Sequence, residues 1–551
     1  MIQKKWEILH TDQVSSENIV DVLLENRGIT KESRAEFLNP TIQDISFQNV
    51  GIDLSAVEKA KERLSTAIKH KEQIIVYGDY DVDGVTASAI LWETLHDAKA
   101  TVMPYIPHRI EEGYGLSIAG IDNLLEEYPD TKIIITVDNG IVAHEAVAYA
   151  NIKRIDVIIT DHHQKNAILP DAHTIIHTDK LCGAGVAWLF SRLLRDTYHL
   201  PYVDDHLVFS CLGTIADLVP LTGANRAIVK AGLKVLNETK RPGLIALFQE
   251  AALTQGSIGV YEIGHIIAPR LNAMGRLESA MDSLRLLCLK DQKRAWHLAQ
   301  LLGSTNRSRQ LLTLESTQHA SAKVKELGKH NKKILFVGDS SYQPGVIGLI
   351  AGKLVEEYYR PAIVLSIDEK QTKASVRSVS GVNIIEFLRR HETEFINVGG
   401  HPMAAGFTIE TEKFAYLEKL IEDLAEEYIT DNHLVKTLRV DCALTFDQLN
   451  TDIYEQIQKL APFGMGNPEP TFMTEGVEIE DIQLMGKDKK HLRFKFPIPN
   501  SQFSITGLGF GMGEYFSKFE IGKTVDLLYT IDMNEWNGRR SLQLKIKDFK
   551  V

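Results

Sequence analysis

The sequence predicts an α/β protein: a doubly wound parallel sheet, a long helical connector, a smaller α/β domain and a small C-terminal β-barrel. Three observations carry this. From about residue 72, near-continuous apolar strands alternate with helical patterns, which means a parallel sheet covered on both faces. Residues 226 to 325 are mostly helical by pattern. From about residue 430, short strands separated by turns replace that alternation, as in an OB-type barrel.

In order, QIIVYG reads as a strand, GVTASAILWETLHD as a helix, TVMPYIP as a strand and SIAGIDNLLEEY as a helix. KIIITV, IVAHEAVAYA and DVIIT continue as strand, helix and strand. The stretch from Asp291 to Gly328 contains no proline, so one long connecting helix is expected there. After the polar break GKHNKK, KILFVGD, GVIGLIAGKLVEEY and PAIVLSI open a new strand–helix–strand unit. The last region offers LRVDCAL, VEIEDIQLMG, HLRFKFP, FSITGLGFG and a final hairpin turning at Asn537-Gly538. The expected boundaries are residues 1–45, 46–225, 226–325, 326–428 and 429–551.

Composition narrows the class. The 551 residues are 44% hydrophobic and 24% charged, an ordinary globular mixture. No apolar stretch approaches the ~18 residues of a membrane span. The start, MIQKKWEILHTDQ, has no apolar signal-peptide core. Cys182, Cys211, Cys288 and Cys442 stand far apart without a CxxC pair, which predicts buried free thiols and a cytoplasmic location. We expect no membrane association and a monomer. The net charge of −12 does not advertise a nucleic-acid binder. A groove is nonetheless governed by nearby charges, and residues 481–551 carry twelve Lys and Arg against eight Asp and Glu.

The chemistry is written at the strand ends. IIVYG runs into Asp79, Asp81 and Asp83, IIITV into Asp138-Asn139-Gly140, and VIIT into Asp161-His162-His163. Parallel strands bring their carboxyl ends to one edge, where doubly wound sheets bind ligands. Asp217, at the end of an apolar, helical segment, is a fourth contributor. A lone aspartate after a strand is usually a turn or N-cap residue, and a lone histidine is usually structural. The recurrence at neighbouring strand ends points instead to a divalent-metal site. Oxygen-rich ligation with one or two imidazoles suits Mn²⁺ or Mg²⁺ better than Zn²⁺. Two ions about 3.5–4 Å apart, sharing a carboxylate, are the usual layout for phosphoester hydrolysis.

GDYDVDG, VDNG, TDHH and ADLVP resemble the ordered motifs of the DHH phosphoesterases. GGHPMAAG, residues 399–406, resembles the glycine-rich signature of the DHHA1 domain that follows in that family. LAPFGMGNPEPTF, residues 460–472, resembles the start of the OB domain in the RecJ branch, the single-strand-specific 5′→3′ DNA exonucleases. By this resemblance Asp81, Asp83, Asp138, His162 and Asp217 are the metal ligands, with Asp138 bridging. Asp79 is a further ligand or supporting acid, and His163 the contact to the phosphate. The pyrophosphatase branch carries a histidine ligand four residues before the position of Asp81. Here that position is Tyr77, which argues against a pyrophosphatase.

The resemblance also implies that Arg109, Arg276, Ser375, Arg377 and His401 line a pocket for the 5′-phosphate of the strand. Arginine offers phosphate a planar fork of donors. Gly399-Gly400 lets backbone amides approach closely. Arg270 is undecided from sequence. In LRFKF, the alternation predicts that Phe494 and Phe496 face a core while Arg493 and Lys495 face solvent. The implied activity is processive hydrolysis of single-stranded DNA to 5′-mononucleotides in repair and recombination. A single-strand-binding protein and a RecQ-type helicase are the implied partners. A DHH phosphodiesterase acting on short oligoribonucleotides or cyclic dinucleotides is the first alternative, and the barrel argues against it. A non-catalytic single-strand-binding scaffold is the second, and the full set of acids argues against that.

Overall fold

The computed structural model describes residues 4–551 apart from Ile110, Glu111, Tyr114 and Asn537. The predicted turn at Asn537-Gly538 therefore lies in part outside the described residues. The chain divides into two compact units. One comprises Ile8–Gly275, Ser279–Gln300 and Arg439–Val551; the other comprises Met1–Glu7, Arg276–Glu278 and Leu301–Leu438.

An edge strand β1 (Lys4–His10) precedes the first sheet. That sheet holds β2 (Gln73–Gly78), β3 (Thr101–Tyr105), β4 (Thr131–Val137), β5 (Asp156–Asp161) and β6 (Thr174–His177), in the order β3-β2-β4-β5-β6. All its pairings are parallel. Apolar β-branched runs such as Ile133–Ile135 and Val157–Ile159 are wholly buried, as a sheet covered on both faces requires. Helices α1 (Val82–Asp97), α2 (Gly183–Thr197), α3 (Asp204–Ala216) and α4 (Gly223–Glu238) follow. β6 was not legible in the sequence: its four residues TIIH are too short to show a period. The helix read at IVAHEAVAYA starts only at His144, because the Ile141 amide donates to Asp161 Oδ2 at 2.9 Å instead of entering a helix.

The same unit contains most of the barrel. α5 (Gln292–Glu326) is the long proline-free helix. In the other unit, β7 (Leu335–Asp339), α6 (Ile347–Tyr358), β8 (Ala362–Ser366), β9 (Gln371–Arg377), β10 (Asn397–His401) and β11 (Ala404–Glu410) build a mixed sheet ordered β10-β11-β9-β8-β7. Only β7 and β8 pair parallel; β9, β10 and β11 join antiparallel. The C-terminal strands are β12 (Lys436–Ala443), β13 (Phe472–Glu478), β14 (Asp481–Met485), β15 (His491–Pro497), β16 (Ser504–Gly509), β17 (Thr524–Trp536) and β18 (Arg539–Lys550). With β1 they form a sheet ordered β1-β12-β13-β17-β18-β16-β15-β14. Phe472, Phe494, Phe496, Phe519 and Tyr529 share one core, so the sheet wraps around it. Phe494 and Phe496 stack there at 5.4 Å, while Arg493 and Lys495 are exposed, as their alternation predicted. Val14, Ile19, Leu23 and Phe37 of the N-terminal segment join that core.

Candidate metal centre

The sheet register builds the site. Gly78 pairs with Val137, and Val137 with Thr160. The next residue on each strand is an aspartate: Asp79, Asp138 and Asp161. Beyond β2 the chain enters α1, whose N-cap is Asp81 with Oδ1 accepting the Gly84 amide at 3.1 Å. Asp83, in the first turn, accepts the amides of Gly183 (2.6 Å) and Ala184 (2.8 Å) at the start of α2. These orphan amides and the helix dipole stabilise the Asp83 carboxylate. Asp217 follows the end of α3. α1 thus starts, and α3 ends, at one place.

The resulting cluster is tight. Asp138, His162 and His163 present one ligand atom each within 4.8 Å of one another, and so do Asp83, His162 and Asp217, and also Asp79, Asp81 and Asp138. Asp138 and His162 each belong to two of these groups. His162 Nε2 lies 3.0 Å from Asp138 Oδ1, 3.6 Å from Asp217 Oδ2 and 3.7 Å from Asp83 Oδ2. Asp81, Asp83, Asp138, His162 and Asp217, the ligands that the resemblance implies, therefore meet in one place, together with Asp79 and His163.

Electrostatics shows that the cluster wants cations. Burial, then repulsion from Asp83, Asp81 and Asp79, holds the Asp138 carboxyl well above the usual range. Burial and Asp81 do the same to Asp79, and burial and Asp83 raise Asp81. Burial and Asp83 push Asp217 to about 8. His162 is lowered, first by burial, so its imidazole is neutral and offers a lone pair. Asp138 Oδ1, Asp79 Oδ1 and His162 Nε2 are buried with no hydrogen-bond partner among the described residues. Buried polar atoms are normally paired. Divalent cations would satisfy these atoms and cancel the repulsion, so the donor set fits Mn²⁺ or Mg²⁺.

His163 is built differently. Its Nδ1 lies 2.7 Å from Asp161 Oδ1, which also accepts the His162 and His163 amides. Burial opposes the imidazolium, but the Asp161 hydrogen bond and charge outweigh it and raise His163 to about 9. Asp161, the first residue of the triplet, is thus the orienting group. Sequence reading gave it no role, although a carboxylate two residues before a histidine was the available signal. Gly183 and Gly213 were also missed. A Cβ on Gly183 would lie 2.5 Å from Asp138 Cβ, and one on Gly213 would lie 2.3 Å from Asp83 Oδ1. Tyr77 turns away from the acids: its hydroxyl donates to the Gly115 carbonyl at 3.2 Å, and its ring stacks on Tyr105.

The predicted phosphate residues fall in both units. The Arg109 guanidinium lies over the Tyr80 ring at 4.9 Å, in the unit that holds the acids. Arg276, Ser375, Arg377 and His401 belong to the other. There, His401 pairs with Ala404 and Ala404 with Arg377 across three neighbouring strands. Arg377 Nη1 donates to Ser375 Oγ at 3.2 Å, and Arg276 Nη1 donates to the Gly345 carbonyl at 3.1 Å. Arg270 is bound to Glu250 at 2.7 Å, so its charge is already compensated.

Comparison with known proteins agrees with this geometry. Residues 73–214 match the DHH family N-terminal domain, 331–427 the DHHA1 domain and 440–548 the RecJ OB domain. The single-stranded-DNA-specific exonuclease RecJ of Bacillus subtilis is 35% identical over 99% of this chain and 71% of its own length. The chain belongs to the RecJ family. The RecJ of Haemophilus influenzae is 30% identical over 98% of each chain. Crystal structures of Thermus thermophilus RecJ in complex with Mn²⁺ and with Mg²⁺ superpose with TM-scores of 0.82 and 0.77, at 27% and 26% identity. They match 100% of this chain and 80% and 79% of the RecJ chains. Both metals of those complexes are ones that the cluster here suits on chemical grounds.

Proposed function

We propose that this protein is a Mn²⁺- or Mg²⁺-dependent exonuclease that degrades single-stranded DNA from the 5′ end to 5′-mononucleotides. The observation that carries the reading is the convergence of Asp79, Asp81, Asp83, Asp138, His162, His163 and Asp217 at one sheet edge, in a chain of the RecJ family.

Asp81, Asp83, Asp138, His162 and Asp217 would hold the two ions. When bound, the ions supply charge neutralisation for the phosphodiester and an acidified water as nucleophile. The remaining work falls to the chain. Asp79 adds negative charge that keeps the ions seated. His163, held charged by Asp161, donates a hydrogen bond to the phosphate oxygen on which charge develops. Asp161 also prevents His163 from turning away, since its Oδ1 fixes both the ring and the backbone amide. Arg276, Ser375, Arg377 and His401, with Arg109, seat the 5′-phosphate, and the guanidinium forks match its geometry. The exposed Arg493 and Lys495 of the barrel attract the strand's backbone.

The domain limits we propose are residues 1–45, 46–225, 226–325, 326–428 and 429–551. The protein works in the cytoplasm as a monomer, with a single-strand-binding protein and a RecQ-type helicase delivering the strand. The four cysteines are free, which suits a reducing compartment. A 5′-phosphorylated, 3′-labelled oligonucleotide with Mn²⁺ tests the core of the proposal. The label should remain on ever shorter strands while mononucleotides appear, and duplex and RNA versions should react more slowly. Immediate release of labelled mononucleotide would mean the opposite polarity and defeat the reading.

A further inference from the structure

A groove runs between α5 and α6, within the unit that does not hold the acid cluster. Arg309, Thr313 and Thr317 stand four residues apart on α5 and share one face. Gly348, Gly352 and Glu356 do the same on α6, and Arg377 joins the lining. The cavity measures about 510 Å³, within the ~300–1,000 Å³ typical of small-molecule sites. Its floor is bare: a Cβ on Gly352 would meet nothing within 4 Å. Leu314 and Leu349 supply apolar walls.

Two features show that the groove is not merely a packing defect. Arg309 Nε and Thr317 Oγ1 are buried with no hydrogen-bond partner among the described residues. Burial lowers the Arg309 pKa, and no carboxylate opposes that effect. The one acid of the groove, Glu356, is already bound to Lys353 at 2.7 Å. A desolvated guanidinium lacking a carboxylate is costly unless an anion meets it. A flat slot floored by glycine and walled by leucine suits an aromatic ring.

We propose that this groove binds a nucleoside 5′-monophosphate, with its phosphate on Arg309 and its base over Gly352 between Leu314 and Leu349. The ligand class is the product of the proposed reaction, so the inference rests on that reading only for the ligand's source. Because Arg377 lines the same groove, an occupied groove competes for the residue proposed to seat the strand end. Product would then slow the entry of the next strand.

Equilibrium binding of dAMP to the full chain in EDTA tests this without any turnover, so its outcome is separate from that of the exonuclease assay. Arg309→Gln should weaken dAMP at least about tenfold, the loss of one charge-assisted contact. Gly352→Met, whose Cβ would meet nothing within 4 Å, should weaken it by a similar factor. Deoxyadenosine and inorganic phosphate, each offering half of the ligand, should bind less tightly than dAMP. Asp138→Asn should leave dAMP binding unchanged. Binding untouched by both groove variants, binding lost in Asp138→Asn, or no binding of millimolar dAMP to the parent protein would overturn the proposal.

Discussion

Asp217→Asn should stabilise the metal-free protein at alkaline pH while removing most of the stabilisation that Mn²⁺ provides. The Asp217 carboxyl is raised from 3.8 to about 8 by burial and by Asp83 and Asp81. A group raised in the fold contributes stability that is complete below its unfolded value and is lost as pH rises through its folded one. The window is therefore about pH 4 to 8. At about 1.4 kcal/mol for each tenfold change in an equilibrium constant, the ceiling is about 6 kcal/mol. The side chain is 27% exposed and shares its repulsion with its neighbours, so solvent screening reduces this to about 2 kcal/mol. For a unit of this size that is about 2 °C in melting temperature. Thermal melts in EDTA at pH 5 and pH 8, with and without Mn²⁺, make the measurement. The parent should melt lower at pH 8 than at pH 5, the variant should lose less, and Mn²⁺ should raise the parent more than the variant. A variant that melts below the parent at pH 8 in EDTA, or that gains as much from Mn²⁺, would refute the electrostatic account.

Three further outcomes follow from the same geometry. Asp138→Asn keeps the shape of a residue whose φ is +63°, a conformation asparagine tolerates. It should lower cleavage by about 10³-fold or more in saturating Mn²⁺ while strand binding, read by fluorescence anisotropy, changes little. Gly213→Ala should raise the Mn²⁺ concentration needed for half-maximal activity, because its Cβ would stand 2.3 Å from Asp83 Oδ1. Unaltered metal dependence would mean that α3 yields without moving the acid. Asp161→Asn should shift the alkaline limb of the pH–rate profile downward by about 1–3 pH units, since the charge that raises His163 is gone. An unmoved limb would remove His163 from the titrating step.

By itself, the sequence determined the parallel sheet and the acids at its edge. Apolar runs of four or more residues followed each time by Asp could be read because strand direction alone fixes which ends meet, as at Asp79, Asp138 and Asp161. The alternation in LRFKF likewise placed Phe494 and Phe496 in a core. Only the tertiary structure separated the acids whose oxygens gather in the cluster from the one that holds a histidine. Asp161 looks like its neighbours in the sequence, yet its oxygens are consumed by His163 and by backbone amides. Arg270 and Arg309 are equally arginine in the text. One meets Glu250, and the other lines a groove whose acid, Glu356, is already paired with Lys353. Gly183 and Gly213 matter through atoms of Asp138 and Asp83 that the chain brings back from far away. Periodicity reports which face of an element is buried. It carries no information about the distance at which two elements meet, and at this site the elements leave no room for a Cβ on Gly183 beside Asp138 or on Gly213 beside Asp83.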